Sequence, residues 1–157
     1  MTVTFTITAP QIDRLDLTAV KALIEKELAA ENLPNPPLLR FEIDYPLAPD
    51  DPRELSEIPE IRLWFVRLDV AYPWLIYHLD WSTEIARYTA MLVPHQFSRT
   101  EGIHYNPEAL ELFIMAKVFA VDAWLKQNQL AGQGKIQAML QMLGYDLDEA
   151  FLNQLLD

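Results

Sequence analysis

Along this chain the spacing of apolar residues changes, and the change leaves few architectures open. Near the N-terminus apolar side chains recur at every second position, whereas in the last third they recur at three- and four-residue steps. A period of two turns one face of a pleated strand toward a core, and a period near 3.6 does the same for a helix. Strands early and helices late predict an α+β fold spanning residues 1–157 as one domain. The expected form is a small, mainly antiparallel sheet of about four strands with C-terminal helices packed on it.

In the segment from Thr2 to Thr8, Val3, Phe5 and Ile7 alternate with four threonines, predicting a half-buried strand. Asp16 stands as a cap before Leu17, Val20, Leu23, Ile24 and Leu28, whose spacing predicts a helix from Leu17 to Ala30. Three prolines between Leu33 and Pro37 end it, because proline lacks an amide donor and restricts the residue before it. Leu39, Phe41, Ile43 and Tyr45 then alternate with Arg40, Glu42 and Asp44, predicting a second strand. After a long connection from Pro46 to Glu60, the run from Glu60 to Val70 is apolar on both alternating faces apart from Arg67 and Asp69, as a central strand would be. Tyr72 to Trp81 fits either a short helix or a return strand, and Ile85 to Val93 predicts a fourth strand that ends at Pro94.

The last third is helical. Asn106 is a good N-cap, Pro107 suits the first helical position, and Leu110, Phe113, Ile114, Val118, Val121 and Leu125 form one stripe up to about Gln127. Ile136, Met139, Leu140 and Leu143 mark a shorter helix stopped by Gly144. Asp146 and Glu149 have capping-box spacing for a final helix through Leu156.

Composition narrows the chemistry. Twelve basic against twenty-three acidic residues give a formal charge of −11, spread along the chain, which repels nucleic acid and anionic lipid alike. The absence of cysteine removes disulfides, thiolate zinc sites, cysteine nucleophiles and ordinary iron–sulfur ligation. No apolar run approaches the ~20 residues that span a bilayer, and no signal or transit pattern opens the chain, so a cytoplasmic protein is expected.

Catalytic constellations are sparse. His95, Glu101 and His104 are zinc-compatible ligand types on an expected loop, yet their separations of six and three match no standard ligand pattern. A small metal-dependent enzyme using these three residues is the alternative reading. A further alternative is a small-molecule-binding domain with an aromatic pocket near Trp74 and Trp81. His78, among Ile76, Tyr77 and Leu79, is expected to be structural, either hydrogen-bonded or partly exposed. Ser56, Ser82 and Ser98 lack the glycine-flanked elbow of an acyl-transfer nucleophile, and neither phosphate-binding glycine motif is present. No catalytic residue, metal or cofactor is therefore expected.

Two surfaces remain as candidates for binding another protein. From Pro46 to Glu60 five acids and one base give a local charge of −4, so Asp50, Asp51, Arg53, Glu54 and Glu57 are expected to steer a basic partner surface. The second surface runs from Pro94 to Tyr105 and includes His95, Gln96 and Phe97.

The segments ARYTAMLVPHQF (Ala86 to Phe97), EGIHYNPEALELF (Glu101 to Phe113), DDPRELSEIPEIRLWFVRLD (Asp50 to Asp69), YPWL (Tyr72 to Leu75) and MLGYDLDEAF (Met142 to Phe151) carry a resemblance that covers nearly the whole chain. In these the chain resembles the chlororespiratory reduction 6 family of cyanobacteria and plant chloroplasts. The resemblance implies an assembly factor, not an enzyme and not a subunit of the finished complex, for the photosynthetic NAD(P)H dehydrogenase-like complex. It further implies action on the hydrophilic arm, with the ferredoxin-like subunit I that carries two four-iron clusters as partner. It brings no catalytic residues. A chain without cysteine would act on that subunit's folding or docking and not as a thiolate cluster donor. Cyanobacterial cytoplasm, or plastid stroma for plant relatives, is the location the resemblance implies.

Overall fold

The computed structural model describes residues 1–33 and 35–157; Pro34, one of the three prolines expected to end the first long helix, lies outside the described residues. The elements run β1 (Thr2–Thr8), α1 (Ala9–Asp13), α2 (Thr18–Glu27), β2 (Leu38–Asp44), α3 (Pro59–Ala71), α4 (Trp81–Leu92), β3 (His95–Ser98), β4 (Gly102–Tyr105), α5 (Pro107–Gln127), α6 (Gln133–Met142) and α7 (Glu149–Leu156). Short 3-10 turns occupy Leu55–Glu57 and Leu75–His78.

The class is α+β, but the four described strands do not form one antiparallel sheet. β1 pairs with β2 in parallel, placing Val3 beside Leu39, Phe5 beside Phe41 and Ile7 beside Ile43. β3 and β4 form a separate antiparallel hairpin. The parallel pairing follows from what lies between β1 and β2: a crossover containing α1 and α2 returns the chain to the same end of the sheet, which a tight hairpin turn cannot do.

Two expected strands are helices. In α3 the buried residues are Ile61, Trp64, Phe65 and Leu68, an i, i+3, i+4, i+7 stripe, while Leu63, Val66 and Val70 stay exposed. Those exposed apolar residues fill in the sequence pattern and hide its period. Pro59 at the first helical position and Glu60 in the first turn are the local signals for a helix. In α4, β-branched and aromatic residues suggested a strand, yet Ile85, Tyr88 and Met91 are buried along one helical face. Packing of that face overrides intrinsic β preference, which is largely a measure of fit to a half-buried surface.

The core lies between the inner face of β1 and β2 and the stripes of α2, α3 and α4, and continues under α5, α6 and α7. Phe41, Phe65 and Tyr88 meet edge to face at centroid separations of 6.0 and 6.1 Å, joining sheet, α3 and α4. Arg87 donates to the Phe41 carbonyl at 2.6 Å, and Arg62 to the Met91 carbonyl at 3.2 Å, so both cations fasten α4 to its neighbours. Tyr72–Trp81, left open by the sequence, holds the turn Leu75–His78, whose four residues are all buried.

Terminal signals fare well in the last third. Asn106 Oδ1 accepts from the backbone amides of Glu108 and Ala109, capping α5. Asp16 Oδ1 accepts from the Thr18 amide, though α2 spans less than expected. The last helix is capped by Asp148, which accepts from the Phe151 amide, and not by Asp146. Buried charge is organised around Asp69, whose carboxylate lies 2.5 and 2.6 Å from the Lys117 ammonium and accepts the Tyr88 hydroxyl at 3.0 Å.

Candidate functional site

The second candidate surface, expected as a loop, is the β3–β4 hairpin. Ser98 pairs with Gly102 across a three-residue connection, and Gly102 at φ +79° supplies the left-handed conformation such loops use. Ser98 Oγ accepts from the amides of Thr100 and Glu101, fixing the tip. At the base the Asn106 amide donates to the Pro94 carbonyl at 3.1 Å, so the residue that caps α5 also closes the hairpin.

Cross-strand partners share a face. His95 with Tyr105 and Phe97 with Ile103 therefore occupy one face, and Gln96 with His104 the other. Phe97 and Ile103 are both exposed, an apolar pair presented to solvent. An open cleft of about 740 Å³ runs between the base of the hairpin and the start of α5, lined in part by His95, Gln96, His104 and Tyr105.

The acidic segment is folded by its own charges. Arg53 binds Asp51 through Nε and a terminal nitrogen at 2.7 to 3.2 Å. These hydrogen bonds hold the Asp51 carboxyl down at about 2. The Glu54 amide donates to the Glu57 carboxylate at 2.6 Å, tightening the turn Leu55–Glu57. Asp51 and Glu57 are half-buried and shape the loop, whereas Asp50, Arg53 and Glu54 are exposed.

Ser56 joins the two surfaces. Its hydroxyl lies 3.1 Å from His95 Nε2, while His95 Nδ1 lies 3.1 Å from the Val93 carbonyl. A carbonyl only accepts, so Nδ1 donates to Val93, while Nε2 is hydrogen-bonded to the Ser56 hydroxyl. This contact ties the turn to the base of the hairpin, beneath the exposed Asp50 and Glu54 of the acidic segment.

A serine within reach of a histidine also invites a nucleophile reading. Here, however, the Ser56 hydroxyl belongs to a buried residue, and a neutral carbonyl stands where a carboxylate would stabilise an imidazolium. The zinc-compatible trio fares worse. His95 and His104 project from opposite faces of the hairpin, His104 pairs with Glu101 at 3.1 Å, and the described residues contain no group of three His, Asp or Glu converging as metal ligands.

The aromatic pocket also differs from expectation. Trp74 stacks on Trp124 at 4.9 Å beside a cleft of about 270 Å³ that Trp81 does not line; the Trp81 indole donates to the Ile76 carbonyl instead. His78 is buried with Nε2 unpartnered, which corrects the expectation of a hydrogen-bonded or partly exposed ring.

Sequence reading missed Ser56 as a tie and Ile103 as the partner of Phe97. The alternation of Ile103 and Tyr105 after a glycine was a hairpin signal, while nothing local points Ser56 to a residue thirty-nine positions away.

Fold and surface together define a small α+β domain that exposes carboxylates in its acidic segment and an apolar pair on its hairpin. The chain belongs to the chlororespiratory reduction 6 family, whose model matches residues 7–154 of 157. That family comprises assembly factors linked to chlororespiratory reduction and to biogenesis of the NAD(P)H dehydrogenase-like complex. No solved structure matches the chain. Among the described residues no helix is long and apolar enough to cross a membrane.

Proposed function

We propose that this chain is a non-catalytic assembly factor that transiently binds the ferredoxin-like subunit I during construction of the hydrophilic arm of the photosynthetic NAD(P)H dehydrogenase-like complex. Family membership supplies the biogenesis role. The observation that supports the binding mode is the Ser56–His95 contact, which ties the acidic turn to the base of the hairpin. Exposed carboxylates of the acidic segment would steer a basic partner, and Phe97 with Ile103 would supply apolar anchorage once it docks.

The test is affinity capture of the tagged protein from a photosynthetic lysate at low and moderate salt. Recovery of subunit I without the complete complex, weakening as salt rises, is expected. Asp50→Lys with Glu54→Lys should lower capture while leaving the fold intact, since neither residue is buried. Recovery of background proteins alone, from a lysate active in assembly, would remove this reading; undiminished capture by the charge-reversed variant would remove the turn from it.

A further inference from the structure

Helix α5 is apolar on two opposite faces. Ile114, Val118, Val121 and Leu125 are buried in the core. On the far side Leu112, Met115 and Phe119 recur at i, i+3 and i+7 with exposures of 68, 47 and 46%. An apolar helix face is ordinarily buried, and these three side chains remain substantially exposed. The stripe adjoins a partly enclosed groove of about 330 Å³ between α5, α6 and α7, lined mainly by Met115, Val118, Tyr145, Leu147, Phe151 and Leu155, with Glu111 at its edge. Phe151 is itself 46% exposed. Contiguous exposed apolar surface of this kind marks an interaction site, and methionine and aromatic side chains adapt well to an incoming helix.

The rim says what fits. The first half of α5 carries Glu108 and Glu111, and its one base there, Lys117, is buried on Asp69. From Gly144 to the C-terminus the chain bears Asp146, Asp148, Glu149 and Asp157 and no base. Lys126, farther along α5, is engaged by Asp122 and by the Leu156 carbonyl. Glu111 is the charged residue among those lining the groove, and Asp146 and Asp148 adjoin its lining residues Tyr145 and Leu147 in sequence, so an apolar floor has acidic surroundings. A second copy would set acidic surroundings against acidic surroundings on chains of charge −11, and anionic lipid would be repelled likewise. We propose that the outer face of α5 and its groove with α7 receive a basic amphipathic helix of another protein, apolar side down and cations toward the rim. This face is separate from the turn and hairpin, so its failure would leave the proposed function standing, and the converse holds.

The test uses the full chain and a fluorescent synthetic peptide of leucine and lysine with leucine at i, i+3, i+4 and i+7. Controls are a scrambled peptide of the same composition and the same pattern with glutamate for lysine. The amphipathic peptide should bind, with both controls weaker by roughly tenfold or more. Leu112→Ser with Phe119→Ser should weaken binding by roughly tenfold, while Leu63→Ser, on exposed surface of α3, should not. Leu112 is exposed enough for Leu112→Ser alone to keep the fold, as a thermal melt would verify. Equal binding by the scrambled peptide, no binding, or indifference to the α5 substitutions would overturn the proposal. So would a concentration-dependent dimer, or association with zwitterionic vesicles, abolished by Leu112→Ser.

Discussion

His78 sits at 1% exposure with Trp124, Trp74 and Tyr77 ring centroids 4.7, 5.4 and 5.2 Å away, and its Nε2 has no partner. Burial, and secondarily the charge of Lys135, lower its pKa to about 4 from 6.5. In the unfolded chain the ring protonates near 6.5, so between 6.5 and about 4 the unfolded state binds more protons than the folded one. Stability contributed by the neutral ring is complete above 6.5 and is lost as pH falls toward 4, a difference of roughly 3 kcal/mol. His78→Phe, which keeps an aromatic ring in the cage, should lose less stability than the parent between pH 7.5 and 4.5 in denaturant melts. Equal losses would show that His78 does not titrate as its burial requires. Lys117 poses the complementary problem. Lys117→Met leaves the Asp69 carboxylate with the Tyr88 hydroxyl as its main support and should cost about 3 kcal/mol. Combining it with Asp69→Leu should recover much of that loss, because the isolated charge is then gone; an additive double variant would mean the pair is not coupled.

At the scale of elements, the helix ends show how local rules and packing divide the work. α6 ends in a Schellman motif: Tyr145 N–H reaches the Leu140 carbonyl, Gly144 N–H reaches Gln141, and Gly144 takes φ +91°. α5 ends in the same way, with Leu130 donating to Leu125 and Gln129 to Lys126, but here Gln129 occupies the left-handed position at φ +57°. α1 repeats it with Leu15 at φ +52°. Gln129 is exposed and without a Cβ would be relieved of strain, so Gln129→Gly should stabilise the protein by about 0.5 kcal/mol or more in chemical denaturation. Unchanged or reduced stability would mean the added entropy of the unfolded chain wins. The same division explains what could be read beforehand. Asn106–Pro107 and Gly144 are signals contained within a few residues, and the helices they bound were legible. α3 and α4 were not, because Leu63, Val66 and Val70 make the sequence of α3 look apolar on every side and only burial separates its two faces. The parallel register of β1 on β2 depends on the path of the crossover, and the contact of Ser56 with His95 depends on where α4 delivers the hairpin. Of the candidate surface, the charges and Phe97 were visible in sequence; their joining was not.

For the whole molecule, the question is how a chain of charge −11 would hold the proposed partner only transiently. Long-range charge accelerates encounter but decays over about 8 Å at physiological salt, whereas apolar contact acts after docking and sets how long the complex lasts. Asp50 and Glu54 stand on the exposed turn, and Phe97 and Ile103 on the hairpin tied to it through Ser56, so the two contributions can be separated by substitution. Against the subunit proposed as partner, Asp50→Lys with Glu54→Lys should slow association at low salt and converge on the parent rate at high salt. Phe97→Ser with Ile103→Ser should leave association nearly unchanged and raise the dissociation rate at both salt concentrations, by roughly tenfold if the pair is a binding hot spot. Ser56→Ala should resemble the apolar variant in kind but be weaker, because it frees the hairpin without removing its side chains. Surface-coupled kinetics on the three variants decides the matter: if charge reversal changes dissociation and the apolar variant changes association, the roles assigned to turn and hairpin are reversed and the steering argument fails.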